Sequence, residues 1–458
     1  MIPQAFLDRM RSFPDLDFDA FAAALESPAV RALRVNTVKT DAATLLPLLP
    51  FAARPLPFTE NAYYATEDKV GALPAHHAGL LYMQDPSAIS AVAAAEPQEG
   101  ERVLDLCAAP GGKSTQLGSA IGETGVLVSN EYVPARCRIL QGNVERMGLC
   151  NTVVTNLDTA ALADFYGPCF DLVVADAPCS GEGMLRKYEV AGEEWSEENV
   201  IACAARQREI LSNAARCVRP GGRLLYSTCT FSLEENEHNV AWFLDTHPDF
   251  SLIPVAPAIA AVTANGITPE GCPHDLSLTR RFYPHLSPGE GQFLALLRRD
   301  TDTASSPALP RDGLASPDAK TAALATDFLA DVLIDVPRGL RLVLLRDALW
   351  LAPDFPIPSK GVFAPGVCLG TLQKGRIEPH HQLASAFGHR YRRRVELSPD
   401  DARVAAYLRG EELSLSPAET ADGNGYAAVL YAGAPLGGGK IVGDRLKNHY
   451  PKGLRNRS

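Results

Sequence analysis

The chain has 458 residues, enough for about three domains of ordinary size. Hydrophobic residues make up 46% and charged residues 21%, the balance of a packed globular protein rather than a disordered one. Against 54 Asp+Glu there are 43 Lys+Arg, a formal net charge of −11, which excludes a protein that coats nucleic acid unselectively but allows a local basic face.

The first 75 residues read as a small α/β module. QAFLDRMRSF and DAFAAALES are patterned as amphipathic helices, RALRVNTVK as a strand and DAATLLPLL as a further helical stretch. The opening MIPQAFLDRMRSFPDLDF has charges spread through it and no apolar signal core. No run approaches the ~20 apolar residues of a membrane span. A cytoplasmic protein is therefore expected. Its ten cysteines include no C-x-x-C pair, which argues against a zinc site of the common spacings and for reduced thiols. Next, LLYMQDPSAISAVAAA reads as strand, cap and helix, with Asp85 as N-cap and Pro86 as first helical residue. The catalytic domain is expected to span 76–300.

At Val103–Thr115 an apolar strand, VLDL, runs into small residues and then a helical KSTQLGSAI. Such a turn brings backbone N–H groups and a helix N-terminus toward a ligand. Three ligand readings compete with an ordinary βα turn. A nucleotide P-loop would need glycine where Cys107 stands, and a dinucleotide loop would need G-x-G-x-x-G where Ala108, Ala109 and Pro110 stand. An S-adenosylmethionine loop suits Asp105 and the AAPGG turn, in which Gly111 and Gly112 remove bulk.

Strands and helices then alternate through GVLVSNE, PARCRILQGNVERMG, TVVTNLD and FDLVVADAP. A long helix, NVIACAARQREILSNAARCV, and a Pro-Gly-Gly stop precede strand GRLLYSTC. This predicts a doubly wound, mostly parallel sheet whose strand ends converge on one site. Glu131 ends the second strand 19 residues after Gly112 (131 − 112), where an acid takes ribose hydroxyls. Asp158 ends the third strand, and Asp176 the fourth. Two cysteines follow adjacent strands, Cys179 in DAPCSG and Cys229 in STCT, each in a turn expected to lead into a helix whose dipole can lower a thiol pKa. Ser232 and Glu235 form a possible capping box. The residues alone do not say which thiol attacks.

Residues 279–300 read as an antiparallel pair joined by a Pro-Gly turn, and 301–325 as a linker rich in Ala, Ser, Pro and Asp. An intermediate domain is expected over 326–395 and a last one over 396–458. From Leu436 to Ser458 there are six Lys/Arg against one Asp, a phosphate-binding footprint interleaved with His449 and Tyr450.

DLCAAPGGK at 105–113, ADAPCSGEGM at 175–184 and YSTCTFSLEENE at 226–237, in that order, resemble the Sun-type (nucleolar-protein-related) RNA 5-methylcytosine methyltransferases. The tail, closing in YPKGLR, resembles the extension of the bacterial F-type small-subunit rRNA enzymes, which ends in a PUA-like RNA-binding domain. The resemblance implies a Rossmann-like methyltransferase sheet and an N-terminal module, with its RVNT stretch at Arg34–Thr37, that contributes to RNA binding. It implies S-adenosylmethionine as cofactor, held by Cys107 to Lys113, Glu131, Asp158 and Asp176, and 16S rRNA or the assembled small subunit as partner. Cys229 then corresponds to the nucleophile and Cys179 to the residue that helps release product. Asp176 holds the cytosine edge, and Lys113 touches cofactor or base. Nothing calls for a metal, a membrane or more than a monomer. A P-loop hydrolase or a silent RNA-binding factor on the same fold would leave the paired cysteines unexplained.

Overall fold

The computed structural model describes residues 2–456 except Asp68, Tyr188 and 302–308. Part of the expected linker, and Arg457 and Ser458 of the basic end, lie outside the described residues.

The two N-terminal helices are Gln4–Arg11 and Phe18–Glu26. Their apolar faces do not pack on the N-terminal sheet. Phe6, Met10 and Phe21 bury against Phe231 and Tyr283 of the catalytic region, with Phe21 edge-on to Phe231 at 5.2 Å. The N-terminal sheet is antiparallel, in the order Ala53–Pro55, Ala62–Ala65, Arg31–Val35, Leu81–Gln84. Its last strand lies beyond the boundary expected at residue 75. Asp85 then caps helix Pro86–Ala95, accepting from Ser87 N, with Pro86 first in the helix as expected.

The catalytic sheet has five parallel strands, in the order Val218–Thr228, Phe170–Asp176, Arg102–Asp105, Val126–Asn130, Thr152–Thr155. Gln292–Arg299 joins antiparallel to Val218–Thr228 and pairs with Arg280–Phe282. Valine- and leucine-rich strands suit a sheet covered on both faces. Two expectations change here. The strand carrying Tyr226 starts at Val218, so Pro-Gly-Gly is a bulge inside it, where the register with Phe170–Asp176 slips. At the opposite edge, Val362–Ala364 from the C-terminal part pairs antiparallel with Thr152–Thr155. The intermediate region therefore completes the catalytic sheet.

Helix Ala319–Val332 begins inside the expected linker, capped by Asp318 accepting from Thr321 N. A four-stranded meander follows, Leu340–Leu345, Ala348–Pro353, Val367–Gln373 and Arg376–Pro379. The last unit is a five-stranded sheet running from Arg394–Leu397 to Leu413–Ser414. It shares one core with the N-terminal sheet, where Leu33, Val35 and Leu81 meet Val395, Tyr407 and Tyr450. Among the described residues no helix is long and apolar enough to cross a membrane.

Candidate active site

The turn after Arg102–Asp105 enters helix Gly112–Ala120 through Gly111, whose φ of +113° is strained for any other residue. A Cβ on Gly111 would also stand 3.2 Å from Leu140 Cδ1. Asp105 works from behind this turn. It is fully buried and accepts from Ser114 Oγ at 2.6 Å, and burial raises it to about 7.

A cleft of about 480 Å³ opens against the turn. Cys107, Ala108, Ala109, Pro110, Gly112 and Lys113 form one wall. Asp176 lies across from them, and Tyr82, Gln84 and Asp85 of the N-terminal module close the third side. Lys113 donates to Asp176 Oδ2 at 2.8 Å, and Ser227 Oγ donates to Asp176 Oδ1 at 2.7 Å. Burial alone would lower the Lys113 ammonium, but the Asp176 charge outweighs it and holds the ammonium above its ordinary range. Cys229 and Asp105 also face that ammonium.

Glu131 and Asp158 stand outside this wall. Glu131 follows Val126–Asn130 as expected and is buried, accepting from Val133 N at 2.8 Å and facing Arg136 at 3.4 Å. Asp158 is exposed and caps helix Thr159–Tyr166, accepting from Ala161 N at 2.8 Å.

Parallel pairing sets Asp176 opposite Ser227, so the chain beyond each strand emerges side by side. Cys179 and Cys229 are brought together there, with 3.2 Å between sulfurs. Contact with Cys229 and burial push the Cys179 thiol well above its ordinary range. Neither cysteine opens a helix, contrary to expectation. Only a single 3-10 turn, Glu182–Met184, follows Cys179, and the helix after Cys229 starts at Glu237 behind Asn236. The capping box is absent as well. Ser232 Oγ donates to Glu234, and the Glu235 carboxylate turns to Ser180.

Three buried groups escaped the sequence reading: Glu182, Gln207 and the Arg281–Glu237 pair, whose Nε–Oε1 distance is 2.6 Å. The acidic run EENE at 234–237 was the available signal, since acids packed that densely beside a reactive motif need buried partners.

A parallel sheet with a small-residue turn, an acid on the neighbouring strand and a cleft between them places the chain in the Rossmann-like methyltransferase class. Its N-terminal module, catalytic region and tail each match a family model: the N-terminal domain of 16S rRNA methyltransferase RsmF over 2–86, 16S rRNA methyltransferase RsmB/F over 92–298, and the methyltransferase RsmF PUA domain over 394–456. Ribosomal RNA small subunit methyltransferase F of Klebsiella pneumoniae (strain 342) is 34% identical over 99% of this chain and 96% of that protein. The protein of the same name from Escherichia coli O81 (strain ED1a) is 33% identical over the same shares. Among solved structures, a methyltransferase homolog protein from Pyrococcus horikoshii is 28% identical, with a TM-score of 0.57, over 65% of this chain and 95% of that one. NSun6 from Pyrococcus horikoshii, solved with SFG, shares the fold at 21% identity and a TM-score of 0.57, over 66% and 99% of the two chains. The chain belongs to the RsmB/F family of 16S rRNA methyltransferases.

Proposed function

We propose that the protein transfers a methyl group from S-adenosylmethionine to carbon 5 of a cytosine in 16S rRNA of the small subunit, through a Cys229–cytosine adduct. The observation that carries this reading is the contact of two thiols, 3.2 Å apart, beyond adjacent strands and beside the Lys113–Asp176 pair. A hydrolase working through a P-loop would have no use for that pair of sulfurs.

The residues present fit the cofactor. Gly112 and Lys113 open a helix at the cleft, and with Cys107, Ala108, Ala109 and Pro110 they wall a space of suitable size. Glu131 would take the ribose hydroxyls once Arg136 yields, and Asp158 would approach the adenine. When bound, S-adenosylmethionine supplies an electrophilic methyl group on a sulfonium centre.

The target base must be unpaired or flipped out to enter. Cys229 sulfur attacks carbon 6, forming a C–S bond and moving electron density to carbon 5. Carbon 5 would then take the methyl as the methyl's bond to the sulfonium sulfur breaks and the electron pair stays on that sulfur. Asp176 holds the ring edge and favours its protonation during attack, while Lys113 fixes Asp176 and directs positive charge toward Cys229. Loss of the carbon 5 proton and cleavage of the C–S bond restore the double bond and free Cys229. Cys179, in contact with that sulfur, assists this release.

The test is methyl transfer from labelled S-adenosylmethionine to small ribosomal subunits lacking the modification, with the product mapped by bisulfite sequencing. A new protected cytosine, lost in Cys229→Ala, is expected. Cys179→Ala is expected to accumulate a covalent protein–RNA adduct, and an adduct found only with Cys229→Ala would reverse the two roles. Transfer only to transfer RNA or naked rRNA would retain the chemistry and overturn the substrate. Silence on every RNA, with cofactor bound, would leave an RNA-binding factor.

A further inference from the structure

Cys179 sits on a turn, in neither strand nor helix, yet its sulfur is held within 3.2 Å of Cys229. The residues on either side of it explain how. The Pro178 carbonyl accepts from Gln207 Nε2 at 3.0 Å. The Ser180 amide donates to Glu235 Oε2 at 3.0 Å, and the Ser180 hydroxyl donates to Glu235 Oε1. Gln207 Nε2 also donates to Glu235 Oε2 at 2.7 Å, so one amide and one carboxylate bracket the cysteine from both flanks.

The bracket is rooted in the other cysteine's loop. Glu235 lies six residues after Cys229, and its carbonyl accepts from Tyr226 OH. Tyr226 OH also donates to Gln207 Oε1 at 3.0 Å, and Asn239 Nδ2 donates to the same oxygen at 3.0 Å. Ser180 Oγ meets Thr230 Oγ1, next to Cys229, at 2.9 Å. Glu235, Gln207, Tyr226 and Asn239 are all fully buried. A carboxylate in such a place is costly, and Glu235 has three hydrogen-bond donors but, among the described residues, no cation paired with it. Burial raises it to about 7. That cost is met at the side chain that ties both flanks of Cys179, which points to a use for it in placing that thiol.

We propose that Glu235 is a positioning residue for the release half of the reaction, fixing the Cys179 thiol against the Cys229 sulfur and acting through that thiol. The proposal rests on Cys179 as the release residue. Glu235 touches neither sulfur, so its loss is expected to leave attack at carbon 6 largely intact and to slow expulsion of the product.

The experiment uses the full chain, labelled S-adenosylmethionine and small ribosomal subunits lacking the modification. Adduct formation and adduct decay are followed separately on denaturing gels for wild type, Cys179→Ala, Glu235→Ala and the near-isosteric Glu235→Gln, with cofactor binding as the control for folding. Decay is expected to slow by about tenfold or more in Glu235→Ala and less in Glu235→Gln, with formation within about threefold of wild type. The adduct should vanish when Glu235→Ala is combined with Cys229→Ala. Formation and decay falling together would mark a merely structural residue and overturn the proposal, as would wild-type decay in both variants. If Cys179→Ala itself leaves no adduct, the cysteine assignment fails and the proposal falls with it. A trapped Cys179→Ala beside a freely turning-over Glu235→Ala sinks the proposal alone.

Discussion

The cleft and the joint between the N-terminal module and the rest of the chain are both dense in charged and polar groups, but use them in opposite ways. At the cleft, Lys113 and Asp176 pair with each other while remaining partly open to a ligand. At the joint, side chains are consumed by backbone carbonyls. Arg34 donates to Gly112 O at 3.0 Å and to Thr115 Oγ1 at 2.7 Å, directly behind the turn that Gly111 closes. Asn36 donates to Gly79 O and Met147 O, and Lys39 to Ala78 O and Arg146 O. Burial lowers Arg34 to about 9 and Lys39 to about 7. Arg34 and Asn36 of the RVNT stretch thus hold the module onto the catalytic domain. A cation in the sequence signals RNA only when no carbonyl or acid inside the protein has claimed it.

The sharpest test of that contrast is Asp176→Asn. It is expected to lower single-turnover methyl transfer by about 10²–10³-fold, with only a modest fall in the unfolding midpoint as the Lys113 ammonium loses its counter-charge. A comparable loss of stability would erase the distinction between cleft and joint. The next largest effect is a pH dependence. The folded chain holds a proton on Asp105 up to about pH 7, whereas the unfolded chain releases it near 3.8. The native state binds more protons between these values, so stability falls as pH rises through that window. Asp105→Asn is expected to remove about 2–3 kcal/mol of this fall between pH 5 and pH 8, read from urea unfolding at both. An unchanged slope would show Asp105 ionised in the fold.

At the joint, Asn36→Ala strands two buried carbonyls and is expected to cost about 2–3 kcal/mol in urea unfolding, with kcat per folded molecule preserved. A fall in kcat instead would give the RVNT stretch a part in the reaction. The smallest expected effects separate two basic residues of the tail. Arg393 is tied to Asp331 at 3.1 Å, while Lys447 is exposed. Arg393→Ala is expected to cost about 1 kcal/mol of stability with RNA affinity retained. Lys447→Ala should weaken RNA binding and reduce the salt slope by about one. Equal salt slopes for both variants would undo the separation.

The parallel sheet and the meeting of Cys179 with Cys229 were legible because each strand is a short apolar run closed by small or acidic residues. Strand adjacency then fixes where the ends emerge. Side-chain roles inside the fold were harder to read. Nothing in TNLD says that Asp158 caps its own helix, and nothing in SLEENE says that Glu235 reaches back to Ser180. The Pro-Gly-Gly bulge reads as a stop because its pairing comes from a distant strand. The RYRRR run at 390–394 is strongly basic, yet Arg390, Arg392 and Arg393 bind Asp335, Ala330 O and Asp331.

Val362–Ala364 gives the catalytic sheet its last strand, and that ties the fate of the enzyme to its tail. Without the tail, Thr152–Thr155 would present a bare, β-branched edge with free N–H and C=O groups, a ready template for intermolecular pairing. A chain shortened to about residue 300 is therefore exposed to aggregation before any loss of RNA affinity matters.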